Sequence, residues 1–437
     1  MKNYLICLVE NIHLKIFKHP IGSEMRGFLG NLSWSFLGGG LAAAVIMAIN
    51  IIAGRLMGPV DYGRYNLVVV ICNYLFIPIF FGLDLASVMA IARGKNDKEK
   101  GQYISSSLVF ITISTFVVLG LVLLFQNSFS KLFSTDNLLI KFSTLFALCM
   151  VFKMATDGYI RGISEFKLQF WGRIIESLGI IVVFVILFLL FKKNVYSSYV
   201  LTLVFGSILV TTFYLSKIKS YLGAFSYPKL IEQLAYGKLF LLATTLGTIF
   251  VSMDKIIINK YIGPHELGLY GAYYTASFTL VTQMAQMFNN VFFPTIAKNL
   301  NKVIFAKIEK LVYISFVPIL VIITSFVFLI IKLYGSKYQV QFDYVLIFGF
   351  LGAIQIIQTI YNSVIMNLSK SFYKKYLLQY NLLNLLTVVS YAFLIFNHSV
   401  HILSVALILT LNYIILVFMQ RKLIKDSFWY KIWIEFW

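Results

Sequence analysis

The chain has 437 residues, 59% of them hydrophobic and 12% charged, with a mean hydropathy of +0.84 and a formal net charge of +20. That composition lies far outside the soluble globular range and excludes a water-soluble domain of ordinary make-up. Three cysteines without metal or redox spacing, and no P-loop, exclude a zinc site, a thiol redox centre and ATP hydrolysis by this chain.

The first 25 residues are no secretory signal, because Glu10, Asn11 and His13 interrupt any apolar core. Leu5, Val9, Ile12 and Ile16 share one helical face opposite Lys15 and Lys18, the pattern of a short interfacial helix. Beyond it, apolar stretches long enough for about 30 Å of hydrocarbon, roughly 20 residues each, recur along the whole length. Twelve spans are predicted, near 32–54, 66–92, 103–125, 139–160, 174–191, 198–216, 238–259, 270–296, 311–331, 344–366, 377–396 and 402–419. They are too long and too uniformly apolar to alternate as barrel strands, so the fold class expected is an all-α integral membrane protein. Pro78, Pro294 and Pro318 fall in or near spans two, eight and nine, where proline bends or breaks a helix. Gly38-Gly39-Gly40 in span one reads as close helix packing. The tail Phe428-Trp429-Tyr430-Lys431-Ile432-Trp433 has the make-up of an interface anchor.

Basic residues follow the membrane. With the N-terminus inside, 26 Lys and Arg fall in cytoplasmic segments and 10 in opposite ones. This asymmetry obeys the positive-inside rule and places both termini in the cytoplasm. Basic loops beside anionic lipid account for the charge without nucleic acid.

One phrase occurs twice. Gly58-Pro59-x3-Gly63-x-Tyr65 follows span one, and Gly263-Pro264-x3-Gly268-x-Tyr270 follows span seven, just under half the chain later. Chance supplies such a string about 0.002 times, so the chain repeats by halves. Six spans per half is an even number, which makes the repeats parallel. The expected organisation is an N-terminal lobe over 1–216, a cytoplasmic linker over 217–237 and a C-terminal lobe over 238–437, the two pseudo-symmetric six-helix lobes enclosing a central cavity. In each, the Gly-Pro turn is a hinge at the outer end of the first span.

Charges inside spans mark where chemistry sits, since each costs about 2.5–3.5 kcal/mol at a helix centre on insertion scales. Span four carries Lys153, Asp157 and Arg161 at i, i+4 and i+8, one helical face that is a cationic strip, with an internal charge ladder as the plainer reading. Glu176 at the start of span five is within reach of Arg173 or Lys153 and reads as structural. Asp84 in span two has no charge within a turn. Asp254 and Lys255 near the outer end of span seven point about 100° apart, which predicts no simple pairing between them and lets Lys255 snorkel outward. Arg55 and Lys260, equivalent in the repeat, read as interface residues. His398 and His401 have no carboxylate or cysteine to complete a metal site, and His265 is a turn residue, so neither metal nor cofactor is expected.

The repeated turns, Asp254-Lys255, the twelve spans and the basic interior together resemble the O-antigen and capsule (Wzx-type) flippases of polysaccharide biosynthesis. These form a branch of the multidrug/oligosaccharidyl-lipid/polysaccharide exporter superfamily. The resemblance implies a multi-pass carrier of the bacterial inner membrane that moves an undecaprenyl-pyrophosphate-linked oligosaccharide to the periplasmic leaflet by alternating access. It implies Lys153 and Arg161 as contacts for the anionic head group, with Asp157 holding and releasing them. It implies Asp84, Asp254 and Lys255 in coupling to H+ or Na+, or in gating. A polysaccharide polymerase and glycosyltransferases would be its partners in the pathway. The alternatives are a drug or cation antiporter of the same superfamily, which would centre acidic residues, and a polytopic polymerase, which would need a large aqueous loop that the chain lacks.

Overall fold

The computed structural model describes residue 40 and residues 43–285, 302–368 and 370–435. The predicted interfacial helix, the start of span one and Pro294 lie outside them. Among the described residues the regular structure is all helical. The helices are α1 (Ala43–Met57), α2 (Pro59–Phe80), α3 (Leu83–Arg93), α4 (Asp97–Leu124), α5 (Gln126–Phe133), α6 (Asn137–Gly162) and α7 (Phe166–Phe184). There follow α8 (Tyr196–Ile218), α9 (Tyr227–Tyr261), α10 (Pro264–Tyr274), α11 (Lys302–Tyr334), α12 (Phe342–Met366), α13 (Lys370–Phe396) and α14 (Ile402–Glu435). Nine helices among the described residues are long and apolar enough to cross a membrane. They coincide with the predicted spans two to six and nine to twelve.

Local chemistry sets the ends. Asn96 caps α4 by accepting the Glu99 amide at 2.8 Å, and Asp136 caps α6 by accepting the Leu139 amide at 2.6 Å. Along the apolar helices, hydroxyls are absorbed by the turn behind them. Thr115, Ser143, Thr156 and Thr202 each donate to the carbonyl four residues back, which satisfies these hydroxyls within their own helices. Span two is broken three residues past Pro78. Phe81 (φ 49°) and Gly82 (φ 79°) both adopt left-handed geometry, and α3 starts afresh at Leu83. A Cβ on Gly82 would overlap the Gly237 carbonyl oxygen of α9, so this break is also a close backbone contact. Pro318, by contrast, sits inside a continuous α11.

The predicted linker is helical on either side of residues 222–226, because Pro228 suits a first helical turn and starts α9 early. Two π-helical stretches, Val185–Leu190 extending α7 and Thr275–Thr279 extending α10, left no trace in the hydropathy pattern.

The chain divides into two compact units. One holds Ile71–Ser130 and Asp136–Leu242; the other holds Ile51–Val70, Lys131–Thr135 and the residues from Ala243 onward. In the first, α6 and α7 both pack on α8, while α3 packs on α4 and α6. Its core contains the fully buried Tyr159, Tyr199 and Tyr214. In the second, α12 lies between α11 and α14, and α13 packs on α14. The segment Ile51–Val70, which carries the first Gly-Pro turn, clusters with the second unit.

Candidate functional site

The first unit contains one connected ionic network inside its membrane-crossing helices. Four-residue spacing brings Lys153, Asp157 and Arg161 onto one face of α6, as the sequence predicts. On α7, Gln169, Arg173 and Glu176 fall at i, i+4 and i+7, again one helical face, and meet that of α6. Asp157 is ion-paired with Arg161, whose Nε lies 3.4 Å away, and accepts from Arg173 Nη2 at 3.2 Å and Gln169 Nε2 at 3.2 Å. Glu176 is ion-paired with Lys153 and lies 3.7 Å from Arg173 Nη1. Asp157 therefore holds Arg161 but not Lys153, whose ammonium turns to the other helix. Glu176 takes both of the partners that the sequence offered it.

Burial is uneven in a telling way. The side chains of Glu176 and Asp157 are 2% and 11% exposed, whereas those of Arg173 and Arg161 are 30% and 43% exposed. Carboxylates lie at the back of the network and guanidinium groups at the front. Asp84, half-buried in the first turn of α3, lies on the helix that packs against α6. The two helices meet at Gly158, where a Cβ would lie 3.4 Å from Val88 Cγ2, 3.8 Å from the Asp84 carbonyl oxygen and 4.0 Å from Arg161 Nη2. Of these groups, the sequence singled out the α6 triad and Asp84. It named Arg173 only as a partner for Glu176, and missed both the pairing of Arg173 with Asp157 and the part played by Gln169; their signal is a polar i, i+4 pair at the start of an otherwise apolar span.

The second unit places Asp254 and Lys255 together, contrary to the expectation of no simple pairing. Lys255 Nζ lies 3.7 Å from Asp254 Oδ1, and the Lys255 amide donates to the same oxygen at 2.7 Å. The Cβ directions diverge, but four methylenes let the ammonium fold back, and Tyr274 receives it with its ring centroid 3.8 Å away. Lys255 does not snorkel; it is 9% exposed. The fully buried Asp254 also accepts from the Tyr270 hydroxyl, and Tyr270 is the tyrosine of the second Gly-Pro phrase. Tyr270→Phe is expected to lower stability by about 1–3 kcal/mol, since it strips a donor from a buried carboxylate. Thermal unfolding in detergent measures it, and an unshifted transition would show that the carboxylate does not depend on that hydroxyl.

The two Gly-Pro turns meet within this same unit. Gly58 (φ 81°) and Gly263 (φ 124°) reverse the chain, and Pro59 and Pro264 start α2 and α10. A Cβ on Gly63 would overlap the Pro264 carbonyl oxygen, and one on Gly268 would overlap the Pro59 carbonyl oxygen. Asn66, one turn along α2, lies against Gly271, its own equivalent in the repeat. The two copies are thus packed backbone to backbone about a local two-fold axis. His265 pairs with Glu266 on the surface of the turn. No group of three or more metal-ligating side chains occurs among the described residues.

Several solved structures share this fold. An inward-facing multidrug resistance MATE family transporter of the MOP superfamily is 14% identical, with a TM-score of 0.70, over 88% of this chain and 95% of that one. The outward-facing conformation of such a transporter gives 14% and 0.66 over 91% and 96%. A MOP-superfamily transporter from Pyrococcus furiosus, described as having a binding pocket of reverse polarity and a different function, gives 12% and 0.62 over 91% and 95%. No curated protein sequence matches the chain. The sequence model of the family described as "Polysaccharide biosynthesis protein" matches residues 28–300, more than half of the length. The chain belongs to the polysaccharide biosynthesis protein family and has the fold of the membrane transporters of the MOP superfamily.

Proposed function

We propose that the protein is a flippase that carries a polyprenyl-pyrophosphate-linked oligosaccharide, an O-antigen or capsule repeat unit, across the bacterial inner membrane. The observation that carries this reading is the polarity of the α6–α7 network, with buried carboxylates behind and exposed guanidinium groups in front. A pyrophosphate leaving water needs cations to replace its hydration, and the bidentate geometry of Arg suits its oxygens. Arg161 and Arg173 present that face, with Lys153 behind them, while Asp157 and Glu176 fix their positions when no anion is bound. Asp84, whose backbone lies beside Gly158 one turn from Arg161, is the carboxylate suited to gating. Asp254 and Lys255 form a self-contained pair for coupling to H+ or Na+, opened when Lys255 leaves. Rocking of the protein between two states would then move the head group.

The test is complementation of a strain lacking the gene, read on surface-polysaccharide gels. Lys153→Ala and Arg161→Ala are each expected to reduce assembled polysaccharide at least tenfold at equal protein level. Intact assembly in both variants would overturn the head-group assignment. The likeness to multidrug transporters supports a second reading, export of a cationic drug. A cationic front face disfavours it. Unchanged drug susceptibility of the deletion strain, beside lost polysaccharide, separates the two.

A further inference from the structure

A second basic cluster stands apart from this network, at one end of α11 and α14 in the second unit. Arg421 of α14 is ion-paired with Glu309 of α11, and Lys425, one turn on, reaches the same carboxylate oxygen at 3.0 Å. Two cations sharing one carboxylate leave that trio with a charge of +1. Lys302, Lys307 and Lys310 lie within seven residues of Glu309 on α11, Lys422 follows Arg421 on α14, and Asp426 is the only other carboxylate in the stretches 302–310 and 421–426. An ordinary structural ion pair does not call for such an excess.

The surroundings fix the depth of the cluster. On the next turns of both helices, Leu311, Ile314, Val317 and Phe418 are 62–65% exposed. Apolar side chains exposed to that degree along membrane-crossing helices face lipid tails. Glu309 and Val317 are eight residues apart, about 12 Å along the axis. Tyr313 stands between, 58% exposed, with the Arg421 guanidinium 5.3 Å from its ring centroid. An amphipathic ring on a lipid-facing helix marks the interface, so Arg421 and Lys425 lie at head-group level. Cations at that level attract anionic lipid by about 1 kcal/mol each.

We propose that Arg421, Lys425 and Glu309 form a binding site for the head group of an acidic phospholipid, whose acyl chains lie along α11 and α14. Glu309 is a positioning residue. It holds both cations at the edge of the tail region without neutralising them, and the surrounding lysines supply the remaining attraction. The site is independent of the flippase reading and holds for any cargo.

The experiment uses the purified full chain in detergent, with native mass spectrometry and thermal unfolding after addition of dioleoyl phosphatidylglycerol or dioleoyl phosphatidylcholine. Phosphatidylglycerol is expected to stay bound and to raise the transition, and phosphatidylcholine to do neither. Arg421→Gln/Lys425→Gln is expected to weaken phosphatidylglycerol binding roughly 30-fold, the effect of two cations at about 1 kcal/mol each. Glu309→Gln is expected to preserve or strengthen it. A purely structural ion pair would instead make Glu309→Gln as damaging as the double variant. Should the double variant fail to fold, Glu309→Gln/Arg421→Gln/Lys425→Gln removes the stranded carboxylate and must still lose the lipid preference. Equal binding of both phospholipids overturns the proposal. So does displacement of phosphatidylglycerol by undecaprenyl pyrophosphate, which would make this a substrate site, or equal stabilisation by inorganic phosphate alone.

Discussion

Gly63→Val and Gly268→Val are each expected to abolish folded, monodisperse protein on fluorescence-detected size exclusion, while Gly120→Ala leaves the profile intact. At Gly63 the added carbon would overlap the Pro264 carbonyl oxygen and stand 2.9 Å from the Gly268 amide nitrogen. At Gly268 it would overlap the Pro59 carbonyl oxygen and stand 2.9 Å from the Pro59 Cα. Every atom in the way is main chain, so no rotamer change relieves the clash and α2 must separate from α10. Overpacking a core with an alternative rotamer costs about 1–3 kcal/mol. Here the collision has no such escape and occurs at helix starts that Pro59 and Pro264 already constrain. The loss should consume much of the roughly 5–15 kcal/mol by which a fold is stable. Gly120 is the control: it lies within α4, has nothing within 4 Å of an added carbon, and gains about 1 kcal/mol of helix propensity as alanine. A normal profile for Gly63→Val would mean that the two turns do not touch.

The repeat itself was legible because glycine and proline are rare enough, and specific enough in backbone geometry, to survive as a pattern. Its meaning was not. Sequence reading placed each turn as the hinge of its own lobe, whereas Pro59–Gly63 and Pro264–Gly268 pack against each other in one unit. Periodicity reports which face a residue occupies and says nothing of what the face meets. The same limit explains the site. The α6 triad was visible as a charge every fourth residue, and Glu176 as a carboxylate within reach of Lys153 or Arg173, but the contacts of Asp157 with Arg173 and Gln169 were not, since spacing along one helix does not say what the next helix brings to it. Asp254 and Lys255 failed for a different reason. Diverging Cβ directions do not keep neighbours apart when one of them is lysine, whose side chain is long enough to fold back. The transmembrane pattern was the most robust reading, because hydrocarbon imposes length and polarity at once. The π-helical turns were invisible, since one extra residue per turn leaves hydropathy unchanged.

Lys153 and Glu176 offer the sharpest separation of structure from transport. Breaking a buried ion pair from one side typically costs about 3–5 kcal/mol, because a charge is left in a poor solvent. Glu176→Gln is expected to pay in full, since Lys153 is only 14% exposed and its ion-pair partner is Glu176. Lys153→Met should cost less, because Glu176 retains Arg173 Nη1 at 3.7 Å. Combining them as Lys153→Met/Glu176→Gln removes both charges and is expected to recover most of the loss, with thermal unfolding close to that of the unmodified protein. The recovered protein then decides the role of the lysine. If the pair is only a ladder rung, polysaccharide assembly returns together with stability. If Lys153 backs the cationic face that meets a pyrophosphate, assembly stays at least tenfold down in a protein that folds and is present at normal level. Stability and transport part company in this one variant, and the direction in which they part identifies what the charge inside α6 is for.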